Sequence, residues 1–381
     1  MANQAKPPVI MFSAGEASGD KHAANMFLEM RELSPQVSAF GMGAAAMRAA
    51  GIDVVYDSTS IAVIGVIEVI KHYPEIRRAL QLMCNLLQTR KPDLLVCVDY
   101  KDFNFKLASY AKRLGIKVLF YVSPQVWAWR PGRVKQYAKV ITAMAVIFPF
   151  ETCYYEAENV PVRYVGHPSV DKVKPVYGKQ EAMRRYGLDP NKPVLGLLPG
   201  SRANEIKCLL PVMFAAAELI IKQRPDVQLV LPQAQSISDD LLGHYLGSSL
   251  TLKIVKNEMY DVVQCCDAVM TSSGTATLEV ALLGIPMLIA YRLSPLTYGL
   301  GRLLVKIPFI GLPNIVASKA IIREFIQHEA NAPALAQESI KLLSDTVYAD
   351  NMRKELNDVK QRLGQGGASH NMAQWALELL A

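Results

Sequence analysis

Short apolar runs of strand length recur along the chain, separated by longer stretches with helical periodicity. In the first half they are VIMFSAG (9–15), VSAFGMG (37–43), DLLVCVDY (93–100), KVLFYVSP (117–124) and AVIFPF (145–150). In the second they are PVLGLLPG (193–200), VQLVLPQ (227–233), LTLKIVK (250–256), AVMTSSG (268–274) and PMLIAY (286–291). Runs that are apolar on both faces and alternate with helices predict parallel sheets covered by helices on both sides. One polar stretch without periodicity and with two prolines, HPSVDKVKPVYGKQ (167–180), divides the series. The predicted fold class is therefore α/β, with two Rossmann-like, doubly wound parallel-sheet domains over 1–170 and 171–364 and an interdomain cleft of the kind that holds ligands. A last helix, about 365–381, is expected to pack back on the first domain. A length of 381 residues agrees with two cores rather than one, since a domain usually takes about 100–200.

Composition narrows the class. Hydrophobic residues make up 51% and charged residues 20%, which describes a globular, rather apolar chain. The start, MANQAKPPVIMFSAGE, has no basic segment leading into a long apolar core and cleavage site, so export is not expected. The six cysteines form no C-x-x-C pair and read as reduced thiols of a cytosolic protein, with no metal site. The net charge is +7, but residues 71–140 hold 14 Lys and Arg against 4 Asp and Glu, so the positive field belongs to the first half. Those basic residues are interleaved with strand-like runs and accompany no nucleic-acid motif, so no nucleic-acid partner is expected. Just before them lies IAVIGVIEVI (61–70). Ten helical residues span about 15 Å, half a bilayer core, so the run does not cross a membrane. It is either a buried element or a membrane patch, with Val63, Ile64, Val66 and Ile67 dipping into an anionic surface beside Lys71, Arg77 and Arg78.

Three strand-to-helix turns carry candidate chemistry. SAGEASGD (13–20) has glycines at 15 and 19 rather than the dinucleotide spacing, and Glu16 and Asp20 stand where a pyrophosphate needs uncharged donors. The turn is either an ordinary one, N-capped by Ser18, or a site for a ligand that welcomes carboxylates. LGLLPGSRANEI (195–206) brings Gly200, where backbone can approach a phosphate, next to Ser201 and the guanidinium fork of Arg202, with Glu205 placed to cap the helix. SSGTATLE (272–279) opens a helix at Ser273, Gly274 and Thr275, whose N–H groups favour a diphosphate, while Glu279 one turn in is suited to ribose hydroxyls. No D-x-D occurs, so the pattern binds a nucleoside diphosphate with neither a bridging metal nor any other cofactor.

SAGEASGD, CVDYKDFN, YVSPQVWAWRPGR, LLPGSRANEI, SSGTATLE and LPN (312–314) resemble, in order and over nearly the whole chain, the successive motifs of the lipid-A-disaccharide synthase family. The resemblance implies a GT-B fold and an inverting hexosyltransferase of Gram-negative lipid A and lipopolysaccharide biosynthesis. Such an enzyme joins UDP-2,3-diacylglucosamine to 2,3-diacylglucosamine 1-phosphate and releases UDP. It further implies a peripheral protein on the cytoplasmic face of the inner membrane, and a homodimer that exchanges its C-terminal region.

An inverting displacement needs a base for the acceptor 6-hydroxyl. Asp99, at the carboxyl end of DLLVCVD, is the first candidate, since the family's essential aspartate falls on this motif. Its alternative role is to cap the following helix, which Asp102 could equally do. Glu16 and then Asp20 are the next candidates, followed by His22 and His167. Ser18, Gly19 and Gln125 are placed with the sugar or acceptor, as is Asn314 in LPN. Trp127 and Trp129, beside Arg130 and Arg133, suit an acylated phosphosugar, with core packing of one indole as the alternative. Two rival functions share the pattern: a UDP-sugar epimerase of the same fold, and a non-catalytic nucleotide- or lipid-binding membrane protein.

Overall fold

The apolar runs form two all-parallel sheets in the computed structural model, which describes residues 7–61, 72–125, 127, 131–245, 250–293, 298 and 307–380. The first sheet comprises β1 (Val9–Ala14), β2 (Ser38–Gly43), β3 (Asp53–Asp57), β4 (Leu94–Val98), β5 (Lys117–Tyr121), β6 (Ala143–Val146) and β7 (Val162–Tyr164), in the order β3-β2-β1-β4-β5-β6-β7. The second comprises β8 (Val194–Leu198), β9 (Gln228–Gln233), β10 (Leu252–Lys256), β11 (Ala268–Ser272), β12 (Met287–Tyr291) and β13 (Glu324–Ile326), in the order β10-β9-β8-β11-β12-β13. Every strand pairing is parallel.

The chain separates into two compact units. One holds the residues up to Pro168 together with those from Gly366 on; the other is Ser169–Gln365. The helices that cover the strands near the candidate chemistry, or brace it, are α1 (Ala17–Leu33), α2 (Ala45–Ala49), α3 (Tyr73–Arg90), α4 (Lys101–Arg113), α5 (Ala203–Gln223), α6 (Thr275–Leu282), α7 (Leu312–Ala317) and α8 (Ala368–Leu380).

The two-residue period of the strands sorts the first core into two layers. Ile10, Phe12 and Ala14 of β1 and Leu94, Val96 and Val98 of β4 pack with Met26, Phe27 and Met30 of α1. Met11, Leu95 and Cys97, one residue out of phase, pack with Phe103, Leu107 and Ala111 of α4. Helices α1 and α4 therefore cover opposite faces. Strand order shows why: the chain moves outward from β1 to β2 and β3, then returns to place β4 on the other side of β1. Right-handed crossovers in opposite directions put their helices on opposite faces, which leaves a crevice beyond the carboxyl ends of β1 and β4. The second sheet reverses in the same way between β8 and β11.

Helix α8 joins the layer of α1. Its Met372, Ala373 and Ala376 are fully buried and Trp375 is 4% exposed. The Arg163 guanidinium lies 5.0 Å from the centre of the Trp375 ring and bonds Glu378 at 2.6 Å. His370 Nδ1 meets Glu29 at 2.9 Å, and Asn371 donates to the Val165 carbonyl at 3.0 Å.

Two sequence expectations shift. The run AVIFPF does not form a strand over its length: β6 is Ala143–Val146, and the proline opens a short helical turn at Pro149–Glu151. The edge strands β3, β7 and β13 carry too little continuous apolar character to be read from the sequence. Among the described residues no helix is long and apolar enough to cross a membrane. Of the apolar decapeptide 61–70, Ile61 is fully buried, and the remainder, with Val63, Ile64, Val66 and Ile67, lies outside the described residues.

Replacing Trp375 with alanine is expected to destabilise the first unit by about 3–5 kcal/mol, the usual loss for a buried large aromatic. Urea denaturation followed by a probe in that unit measures it; an unchanged midpoint would show that α8 adds nothing to the core.

Candidate active site

Backbone strain gathers at the carboxyl edge of the first sheet. Asp99 and Tyr100, directly after β4, have φ of 59° and 48°; after β5, Val122 has 72° and Gln125 22°. Left-handed backbone costs a non-glycine residue about 1–3 kcal/mol, and such outliers cluster at functional sites because the surrounding structure must impose them. What imposes the first pair is Asn104, a fully buried residue of α4. Its Nδ2 donates to the carbonyls of Asp99 at 2.7 Å, Ser13 at 3.2 Å and Val98 at 3.3 Å. Its Oδ1 accepts from the Ser13 hydroxyl at 2.6 Å. One amide thus fastens the ends of β1 and β4 together.

The strain aims Asp99 at the SAGEASGD turn. Ser18 Oγ donates to Asp99 Oδ2 at 3.3 Å, so Ser18 does not cap α1; the N-cap position is Glu16, and no side chain caps it. A Cβ on Gly19 would meet Asp99 Cβ at 3.4 Å, and one on Gly15 would overlap the Tyr100 ring, so both glycines permit close approach. The capping alternative for Asp99 and Asp102 also falls away. Helix α4 has Tyr100 at its N-cap and no side-chain cap, and Asp102 is paired with Arg133. Asp99 remains a half-buried carboxylate at the crevice.

The two carboxylates of the first turn differ. Glu16 is exposed at the start of α1, close enough to Tyr100 to reinforce the rise in that hydroxyl's pKa that burial causes. Asp20 is 4% exposed, and its oxygens accept from the backbone N–H of Ala44 at 2.6 Å, Ala46 at 2.9 Å and Met47 at 3.3 Å. It caps α2, which has alanine at its own N-cap, and those bonds occupy it.

Beyond β5, Gln125 is exposed, and the Trp127 indole donates to Glu151 at 3.0 Å while packing edge-on against Phe150 at 5.3 Å. Burial pushes the Glu151 carboxyl up to about 7, against bonds from the Phe148 amide and the Trp127 indole. Arg130 and Trp129 lie outside the described residues. His22 lies against Tyr121 with the rings tilted and their centres 5.7 Å apart, and burial, with His22 nearby, pushes His167 down to about 4.

In the second unit the two strand-to-helix turns stand at the ends of β8 and β11, on either side of the reversal. After β8, Gly200 has φ 119°. Glu205 Oε2 accepts from the N–H of Ser201 at 2.9 Å and Arg202 at 3.3 Å, as its spacing predicts. The Arg202 side chain is 70% exposed and reaches Glu205 Oε1 at 3.2 Å. After β11, Gly274 and Thr275 are exposed and α6 starts with no side-chain cap. Ser273 Oγ turns away to the Ile310 carbonyl at 2.9 Å. Glu279 is 6% exposed; its Oε1 accepts from Lys172 at 3.0 Å and Tyr260 at 3.1 Å.

Asn314 is fully buried. Its Nδ2 donates to the Ile322 carbonyl at 2.8 Å and Glu324 at 2.7 Å, and its Oδ1 accepts from the N–H of Ile321 and Ile322, both at 2.9 Å. Both amide hydrogens and both lone pairs are used, which leaves nothing for a sugar. Glu324 completes this brace by accepting from the N–H of Ile310 and Gly311 at 2.9 Å each. Asn104, Lys172, Tyr260 and Glu324 went unrecognised in the sequence. Only Asn104 left a signal there, as a polar residue between Phe103 and Phe105. Among the described residues no group of His, Cys, Asp and Glu is placed to hold a metal ion.

The sequence profile of lipid-A-disaccharide synthetase matches residues 10–378. A lipid-A-disaccharide synthase of Geobacter metallireducens is 46% identical over 372 residues, covering 97% of this chain and 97% of the relative. Among solved structures, UDP-GlcNAc 2-epimerase from Neisseria meningitidis bound to UDP-GlcNAc superposes with a TM-score of 0.62 at 13% identity, over 98% of this chain and 100% of that one. A glycosyltransferase from Rickettsia africae does so with 0.59 at 11% identity, over 99% and 98%. At such identity the structural likeness concerns the fold, which is that of the GT-B glycosyltransferases and epimerases.

Removing the Asn104 amide leaves the buried Ser13 hydroxyl and three carbonyls short of their partner. Asn104→Ala is expected to cost the first unit about 1–3 kcal/mol, read by chemical denaturation. A stability equal to the parent's would mean that the turn after β4 holds itself.

Proposed function

The chain belongs to the lipid-A-disaccharide synthase family, and from that premise we propose how its residues divide the glycosyl transfer by which it synthesises the lipid A disaccharide. The donor is UDP-2,3-diacylglucosamine and the acceptor 2,3-diacylglucosamine 1-phosphate. Asp99 is the base. It takes the proton of the acceptor 6-hydroxyl as that oxygen attacks the donor's anomeric carbon; the bond from that carbon to the β-phosphate oxygen breaks, and its electron pair leaves with UDP. The observation that carries this assignment is the position of Asp99. It is held in left-handed backbone at the switch point, and helix capping does not occupy it. Ser18, at 3.3 Å, orients the carboxylate, and Glu16, exposed on the same turn, binds acceptor hydroxyls. Asp20 and Asn314 serve the scaffold.

The second unit binds UDP. The uncapped start of α6 at Ser273, Gly274 and Thr275 receives the diphosphate, Glu279 the ribose through the oxygen that Lys172 and Tyr260 leave open, and Arg202 the charge that builds on the leaving group. Solved structures of the same fold that carry UDP or a UDP-sugar support a nucleotide ligand, without bearing on which unit holds it.

The apolar run 61–70, beyond its buried Ile61, and the start of α3 seat the enzyme on the anionic cytoplasmic face of the inner membrane. In α3, Ala79, Met83 and Leu87 are buried against the core, while Arg77 and Arg78 are exposed and free to meet lipid phosphates.

Asp99→Asn is expected to keep UDP affinity near the parent's while turnover to the disaccharide falls at least about a hundredfold, the lower range for loss of a general base. Undiminished turnover removes Asp99 from that role. Serine at Val63, Ile64, Val66 and Ile67 together is expected to release the protein from anionic vesicles in a flotation assay with folding retained; unfolding instead would place the run in the core.

A further inference from the structure

The two turns at the second switch point are not equivalent. Among the described residues, the start of α6 has no side-chain cap. At the start of α5 an anion is already present, and it belongs to the chain. The Glu205 carboxylate takes the amides of Ser201 and Arg202 on one oxygen, at 2.9 and 3.3 Å, and the Arg202 guanidinium on the other, at 3.2 Å. Gly200 makes room for it, since a Cβ there would overlap that carboxylate. The pair is felt at Tyr291, at the end of β12: burial raises its pKa, with Glu205 adding to the rise and Arg202 opposing it. Two amides and an arginine converging on one carboxylate is the arrangement that proteins use for a phosphate.

We propose that Glu205 is an internal competitor for Arg202, a stand-in anion that holds the guanidinium until a nucleoside diphosphate displaces it and so sets the affinity of the site. The inference rests on the assignment of UDP to this unit. The energetics allow the exchange. Arg202 is 70% exposed and Glu205 27%, and a solvated pair of this kind is weakly bound. A diphosphate carries more charge and more acceptor oxygens than a carboxylate and makes the stronger bonds. The arginine therefore leaves Glu205 at little cost when the ligand arrives. Without a ligand, the amides of Ser201 and Arg202 stay satisfied. The motif P-G-S-R-x-x-E is then a phosphate-binding arginine together with the carboxylate that moderates it.

The opposite role, in which Glu205 holds Arg202 in its binding pose, predicts the opposite sign, and Glu205→Gln separates the two. Glutamine keeps one oxygen for the Ser201 and Arg202 amides but removes the charge. Titration calorimetry with UDP at low salt is expected to show binding about two- to fivefold tighter than the parent's, with the gain shrinking as salt screens it. In the Arg202→Ala background the same change is expected to yield no gain. Binding equal to or weaker than the parent's by folded Glu205→Gln protein, checked by circular dichroism, overturns the proposal. So does an undiminished gain in the Arg202→Ala background. If the parent protein itself fails to bind UDP, it is the nucleotide assignment that has failed, and the two cases are told apart by that first titration.

Discussion

Each sheet of this protein reverses its winding once, and the candidate chemistry depends on that reversal. Because parallel strands require right-handed crossovers, the helices after β1 and β4 must lie on opposite faces, as must those after β8 and β11. At those two seams the helices diverge and leave a crevice at the carboxyl edge of the sheet. The turns that end there are SAGEASGD and Asp99–Tyr100 in the first unit, and PGSR and SSGT in the second. Four stretches far apart in sequence are thus grouped in pairs by topology before any side chain is considered.

Side chains then distinguish the two seams. In the first unit, two consecutive residues sit in left-handed backbone, and their strain is offset by a single buried amide, Asn104, that ties both strand ends. Strain held in this way makes sense if the position of the Asp99 carboxylate matters. In the second unit, backbone donors dominate: a helix start without a cap, a glycine that lets a carboxylate approach, and an exposed arginine. On the proposed reading, the first seam removes a proton from a hydroxyl and the second holds an anion.

Much of this was legible in the sequence. Central strands read clearly because they are apolar on both faces, whereas β3, β7 and β13 are short edge strands with half-solvated residues and leave little pattern. The glycines of SAGEASGD announced a turn that is not a dinucleotide loop. They did not announce that Asp20 caps α2, because the amides it serves are 24 to 27 residues away. Glu279 likewise appeared from its helix position alone, while Lys172 comes to it from 107 residues away. Asn314, a polar residue in a short motif, suggests a ligand contact from sequence alone, and only its four internal bonds reveal a brace. Local spacing predicted the cap that Glu205 makes within its own turn, and failed where the partner lies far away in sequence, as with Ala44 for Asp20 and Lys172 for Glu279.

The most direct test is a crystal structure of the protein with UDP bound. The diphosphate is expected on the amides of Ser273 to Thr275, the ribose hydroxyls on Glu279, and the Arg202 guanidinium on a phosphate oxygen rather than on Glu205. A diphosphate seated instead on the turn between Ser13 and Asp20 would contradict the division of labour between the two seams.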